Sequence, residues 1–209
     1  MEGYHNQRGR HNVVSTNIEA VASKIDQKTR ASVNGHKGGI IWLTGLSGAG
    51  KSTIAIEAER QLFQKGYQIY VLDGDNIRFG LSADLGFTPA DRTENIRRIG
   101  EVAKLFADAG VVVITAFISP YRDDRNRARA IAPDQFHEVF IKADLSTCET
   151  RDPKGLYAKA RNGEIEDFTG VSAPYEEPTD ANLIIDTGAQ NIDQSVSKLL
   201  DYVSLNFKS

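Results

Sequence analysis

Apolar residues in this chain fall into short, dense runs separated by stretches where they recur at helical spacing. Ile40-Ile41-Trp42-Leu43-Thr44, Val111-Val112-Val113-Ile114-Thr115-Ala116-Phe117 and Leu183-Ile184-Ile185 show no polar alternation. Runs of this kind suit strands covered on both faces, as in a parallel sheet. Gln68-Ile69-Tyr70-Val71-Leu72 and Glu138-Val139-Phe140-Ile141 add two more strands. Between the strands the spacing predicts helices at about 51–65, 91–109, 121–131 and 191–206, with helical turns at 146–162. Gly66 and Gly110 stand where the C-caps of the first two belong. An amphipathic helix is expected over 15–33, with Ile18, Val21, Ala22 and Ile25 on one stripe, and residues 1–14 are expected to be disordered. Strands alternating with helices predict an α/β fold: a doubly wound parallel sheet of about five strands flanked by helices. Ligands then belong outside the C-terminal ends of the strands.

The first predicted strand runs into Gly45-Leu46-Ser47-Gly48-Ala49-Gly50-Lys51-Ser52, followed by Thr53 and a helical segment. This is a complete G-x-x-x-x-G-K-S loop in the strand–loop–helix context that the motif requires. Its glycines let successive N–H groups turn inward toward phosphate oxygens, and the next helix adds the positive end of its dipole. Lys51 is placed to reach the β- and γ-phosphates, and Ser52 to offer a hydroxyl to Mg²⁺. The motif implies binding of a nucleoside triphosphate with its metal.

Further polar clusters follow the other strands. Asp73-Gly74-Asp75 ends the second, and two carboxylates there suit Mg²⁺ binding or acceptance of a proton from an attacking hydroxyl. The run 111–117 contains no aspartate to serve as a strand-end metal ligand, so Asp73 and Asp75 are the replacement. Ile118-Ser119-Pro120-Tyr121 follows that run. Arg92 and Asn95 share one helical face, as an anion on a nucleobase or sugar would require. Phe87 is equally compatible with stacking on a planar ring and with plugging the core. Residues 151–161 hold four cations, Arg151, Lys154, Lys159 and Arg161, before a Gly-containing loop. Such a segment fits a mobile lid, at about 151–178, that closes over phosphates and excludes water.

Composition narrows the picture modestly. A chain of 209 residues suits one substantial core, so residues 34–209 are read as one domain after an N-terminal extension, 1–33. The net charge of −3 argues against broad binding to nucleic acid or anionic membranes. A single cysteine, Cys148, excludes an internal disulfide and fits a reducing compartment; packing is its simplest role and an intermolecular redox switch the alternative. With no long apolar segment or secretory signal in view, a cytoplasmic location is expected. The four histidines do not cluster, so no histidine metal site is supported.

Several ordered blocks resemble the adenylylsulfate kinase family. They are Gly45–Thr53, Leu72–Arg78, Asp84–Phe87, Glu94–Lys104, Ile118–Tyr121, Arg151–Tyr157, Gly163–Ile165 and Phe168–Gly170, spread over about 34–188. The resemblance implies a stand-alone kinase that phosphorylates the 3′-hydroxyl of adenosine 5′-phosphosulfate with MgATP, with a homodimer as a compatible state. It implies ATP binding by Gly45 to Thr53 and metal binding by Ser52, Asp73 and Asp75. By the same resemblance Asp75 lies near the 3′-hydroxyl as base or metal partner. Arg78, Arg92 and Asn95 then hold sulfate, phosphate and sugar, Phe87 and Phe168 sandwich the adenine, and Ile118, Ser119 and Lys154 complete the pocket. Family descriptions label the serine at Ser119 as a phosphoserine intermediate. Direct in-line transfer needs only positioning and charge neutralisation, and no His or Lys stands as its activating base, so a covalent role is left open. Asp167, Ala158, Ser172 and Ala173 depart from the family pattern. A kinase of another small acceptor, or a non-catalytic nucleotide-binding regulator, would share the phosphate loop. Asp75 counts against the regulator.

Overall fold

The computed structural model describes Glu19 and residues 21–209. Five strands, β1 (Gly39–Thr44), β2 (Ile69–Asp73), β3 (Val112–Ala116), β4 (Phe136–Lys142) and β5 (Leu183–Asp186), form one sheet in the order β2-β3-β1-β4-β5. All four pairings are parallel. Alternation along the strands divides the core in two. Ile41 and Leu43 of β1 face α2 (Lys51–Gln64) and α8 (Ile192–Asn206), where Ile54, Ala58, Leu62, Leu199 and Val203 pack. Ile40 and Trp42 face the opposite way, onto Ile96, Ile99 and Ala103 of α4 (Pro89–Asp108) and Ala128 of α5 (Arg122–Ile131). Both faces of a strand buried at once explain the unbroken apolar runs. The expected doubly wound sheet is therefore the observed one, and among the described helices none is long and apolar enough to cross a membrane.

Local chemistry moved some boundaries. Of the helix predicted over 15–33, the described residues form α1 (Gln27–Asn34), which starts where the Asp26 carboxylate accepts from Thr29 N–H. Val21 and Ile25 precede it with exposed side chains, and Ile18, like residues 1–14, lies outside the described residues. Thr88 caps α4 with Pro89 in its first turn, two residues before the apolar spacing becomes visible. Asp73 caps an unpredicted short helix, α3 (Gly74–Phe79). The helical turns at 146–162 resolve into α6 (Leu145–Arg151) and α7 (Leu156–Arg161), separated at Asp152 to Gly155. Strand order places β1 between β3 and β4, so the chain leaves β1 toward one side and later returns to the other. The crevice at the β1 C-terminus is the place where such sheets take ligands.

The β1 backbone is fitted to the end of the chain. A Cβ on Gly39 would lie 2.3 Å from the ring of Phe207, the residue that ends α8. Gly39→Ala is expected to destabilise the fold by about 1–3 kcal/mol through overpacking. Combined with Phe207→Ala, which removes the clashing ring, it should cost less than the two single effects added. Urea midpoints of the four proteins in this cycle measure that coupling.

Candidate active site

The β1–α2 loop is built for an anion. Gly45, Gly48 and Gly50 have φ of 152°, 75° and 99°. A Cβ at Gly45 would sit 2.4 Å from the Ile141 carbonyl oxygen, so no larger residue fits. Side chains cap the N-termini of α1, α3, α4, α6 and α8; α2, like α5 and α7, has no N-cap side-chain bond, and it starts on Gly50 of this loop. The free N–H groups and positive dipole end of α2 therefore open onto the loop. Lys51 is buried there, its Nζ donating to the carbonyls of Gly45 at 2.9 Å and Leu46 at 2.8 Å. Burial pushes its pKa down to about 8.

Residues that sequence reading did not assign to the site support this loop from behind. Thr187 Oγ1 donates to the Ala49 carbonyl at 2.8 Å, and Arg151 Nη2 donates to the Thr187 carbonyl at 2.6 Å. The Tyr157 hydroxyl donates to the Ser47 carbonyl at 3.0 Å. Thr187 directly follows β5, where the strand-end rule points, but a lone threonine after so short a strand carries no motif. Cys148 is fully buried beside the loop: a Cβ on Gly48 would lie 3.0 Å from the Cys148 carbonyl oxygen. Burial pushes the thiol pKa up. Packing is thus its role, and the alternative of an intermolecular redox switch meets a thiol without surface access.

The two aspartates after β2 take different partners. Ser52 Oγ donates to Asp73 Oδ2 at 2.6 Å, while Asp73 Oδ1 accepts from Asp75 N–H at 3.0 Å. Asp75 instead forms an ion pair with Lys154, from the cationic segment. Among the described residues no cluster of three or more His, Cys, Asp or Glu side chains is gathered for a metal. Mg²⁺ keeps several waters and needs only one or two carboxylates beside phosphate oxygens, and Ser52 Oγ with Asp73 Oδ2 are hard oxygen donors of that kind.

A second wall comes from α3, the start of α4 and the loop after α7. Arg78 Nη1 donates to the Gly86 carbonyl at 2.8 Å, and its guanidinium carbon lies 4.2 Å from the Phe87 ring centroid. Arg92 Nε donates to the Phe87 carbonyl at 2.8 Å, Nη1 to Thr169 Oγ1 at 2.7 Å and Nη2 to the Asp167 carbonyl at 2.5 Å. One guanidinium thus ties the exposed Phe87 segment to the segment of Phe168, which is buried edge-on against Tyr157 at 5.0 Å between ring centroids. Asp167 takes part through its backbone at φ 52°, and Ser172 Oγ accepts from Phe168 N–H at 2.9 Å to close the turn. Ser172 therefore has a local structural role, whereas Asp167 contributes its main chain. Asn95 is buried, and its Oδ1 has no protein partner.

The β3 exit forms the third side. Ser119 has φ 41°, a left-handed conformation that costs roughly 1–2 kcal/mol for a residue with a Cβ. Three donors fix this turn. Trp42 Nε1 donates to Ser119 Oγ at 3.1 Å, Thr44 Oγ1 to the Ile118 carbonyl at 2.7 Å, and Arg125 Nη1 to the Ser119 carbonyl at 2.7 Å. Thr44 Oγ1 also lies 3.0 Å from the Tyr175 hydroxyl, whose pKa burial pushes up. Arg125 and its partner Glu138 escaped sequence reading, because charges in a charged helix and at a strand start look solvent-facing.

The family model for adenylylsulphate kinase matches residues 37–186. The adenylyl-sulfate kinase of Bacillus licheniformis is 57% identical over 192 residues, covering 91% of this chain and 98% of that protein. That of Bacillus pumilus is 60% identical over 182 residues, covering 87% of this chain and 92% of its own. Among solved structures, the APS kinase of Mycobacterium tuberculosis in complex with AMPPNP and APS superposes with a TM-score of 0.76 at 49% identity, covering 79% of this chain and 96% of that one. A complete phosphate loop, the resembling blocks in order and near full-length relatives agree, and the chain belongs to the adenylylsulfate kinase family.

Proposed function

We propose that this chain transfers the γ-phosphate of MgATP to the 3′-hydroxyl of adenosine 5′-phosphosulfate, giving 3′-phosphoadenosine 5′-phosphosulfate and ADP. The observation that carries the reading is the Asp75–Lys154 pair. Asp75 N–H donates to Asp73, which takes the Ser52 hydroxyl, so the paired carboxylate lies close to the phosphate loop in a chain of this family. The loop N–H groups of Gly45 to Thr53 and the Lys51 ammonium hold the triphosphate. Ser52 and Asp73 would hold Mg²⁺, which supplies charge neutralisation at the β- and γ-phosphate oxygens. Asp75 accepts the proton of the 3′-hydroxyl, or alternatively joins the metal shell, and Lys154 orients its carboxylate. Phe87 and Phe168 bracket the adenine, with Arg92 setting their spacing. Arg78, Asn95, Ile118 and Ser119 line the remainder of the acceptor pocket. Ser119 acts by position: its buried Oγ receives the indole N–H of Trp42, and a direct in-line transfer needs no covalent serine step. Residues 151–178 act as the lid that excludes water, and a homodimer in the cytoplasm is a setting compatible with this reading.

Adenosine 5′-phosphosulfate is expected to stimulate ADP release from MgATP strongly, while AMP and other nucleoside monophosphates do not. Asp75→Ala should lower that rate by about 10²–10⁴-fold, the scale of a lost general base. Stimulation by a monophosphate instead would overturn the acceptor, and tight ATP binding without any stimulation would make the chain a regulator.

Lys51 gives a pH test. Its pKa is about 8 in the nucleotide-free fold against 10.5 in the unfolded chain. Between those values the unfolded state binds more protons, so nucleotide-free stability rises with pH across that window. Bound phosphates reverse the preference because they require the ammonium. ATP binding near about pH 9 should therefore take up close to one proton, and binding near about pH 6 none. Calorimetry in buffers of different ionisation enthalpy measures this uptake, and Lys51→Arg, always charged, should abolish it.

A further inference from the structure

Arg125 and Glu138 are almost fully buried, at 1% and 2% exposure, in the middle of α5 and on β4. A charge is retained in such a place only with a complete set of partners. Arg125 has them: Nε donates to Glu138 Oε1 at 2.6 Å, Nη1 to the Ser119 carbonyl at 2.7 Å and Nη2 to the Glu176 carbonyl at 2.7 Å. Its guanidinium carbon is 5.9 Å from the Tyr175 ring centroid. Glu138 Oε2 accepts from Arg129 Nη2 at 2.7 Å, and Glu138 N–H donates to Asn182 Oδ1 at 2.8 Å. None of these residues belongs to the phosphate loop. Through Arg125 the network holds the Ser119 carbonyl and the Glu176 carbonyl of the loop that follows Phe168.

We infer that Arg125, charge-balanced by Glu138, is the positioning residue of the acceptor pocket, fixing the strained Ser119 turn against the Tyr175–Glu176 loop. The inference rests on the reading of Ile118 and Ser119 as pocket residues. Ser119 holds its left-handed φ while its carbonyl is engaged by Arg125, and Tyr175 reaches Thr44, which in turn holds the Ile118 carbonyl. A planar fork with donors in three directions spans the three acceptors at once. A lysine ammonium on a single flexible stem cannot. Arg92 ties the same post-Phe168 loop to Phe87, so two guanidiniums set the shape of the acceptor side from opposite ends. Phosphate-loop contacts lie outside this network, so its loss should be felt by the acceptor and not by ATP.

Arg125→Lys and Glu138→Gln test this in steady-state kinetics with both substrates. The single tryptophan, Trp42, provides a separate readout, since its Nε1 donates to Ser119 Oγ. Arg125→Lys is expected to raise KM for adenosine 5′-phosphosulfate about tenfold, to leave KM for MgATP within about twofold, and to change the Trp42 emission response to the phosphosulfate. Glu138→Gln keeps an oxygen for Arg125 Nε and should give the same split at about threefold. A lower melting temperature with both KM values unchanged would make Arg125 a stability element and overturn the inference. If Arg125→Lys does not fold, Glu138→Gln decides by the same split. If neither folds, the network is a folding element and the inference fails. A wild-type protein that the phosphosulfate does not stimulate removes the functional reading itself, and this inference with it. An intact wild type with unshifted variants removes only the inference.

Discussion

A helix whose first turn is left without a side-chain cap has to find partners for several N–H groups, and α2 is placed where the expected partner is a phosphate. Much of the architecture follows from keeping that end open yet rigid. Glycines supply the positive φ values, and the Ile141 carbonyl leaves no room for a Cβ at Gly45. The loop carbonyls turned away from the anion are taken up by Lys51, Thr187 and Tyr157. Buried carbonyls without donors would cost about 1–3 kcal/mol each, so these contacts allow the loop to stay preorganised in the absence of ligand.

Lys51 shows the tension in that arrangement. Its ammonium sits in a low-dielectric pocket with only carbonyl oxygens as direct partners, and burial weakens its hold on the proton. Asp73 and Asp75, two residues apart, take different partners, a serine hydroxyl for one and an ammonium for the other.

The loops around Phe87, Ser119 and Phe168 are organised by guanidiniums acting on main-chain carbonyls. Arg92 joins the segments of Phe87 and Phe168, and Arg125 joins the Ser119 turn to Glu176. Loops with few apolar contacts need directional bonds to hold a shape, and a fork with several donors fixes two chains for the entropy of one side chain. Burying the Arg125–Glu138 pair is costly by desolvation, and leaving either partner alone would cost about 3–5 kcal/mol. Such a pair in a core already well supplied with Ile, Val and Leu points to a demand for geometry more than for stability.

The sequence by itself determined the layered α/β plan, because unbroken apolar runs only suit strands covered on both faces, and it determined the phosphate loop, because closely spaced glycines, a lysine and a serine act through local backbone geometry. The placement of Asp75 after a strand, and of Arg92 and Asn95 in the opening turns of a helix, was legible for a related reason: there, position along the chain already implies position in space. The short helix α3 and the early start of α4 were hidden, since caps at Asp73 and Thr88 act before any periodicity begins. Thr187, Tyr157, Arg125 and Glu138 were decided only by the tertiary structure. Their partners lie far away in sequence, from Glu138 to Arg125 across a helix turn and strand, and from Thr187 to Ala49 across most of the sheet. A charge or hydroxyl in a one-dimensional string looks solvated unless something shows that its surroundings are closed, and closure is a property of packed layers, not of neighbours in the chain.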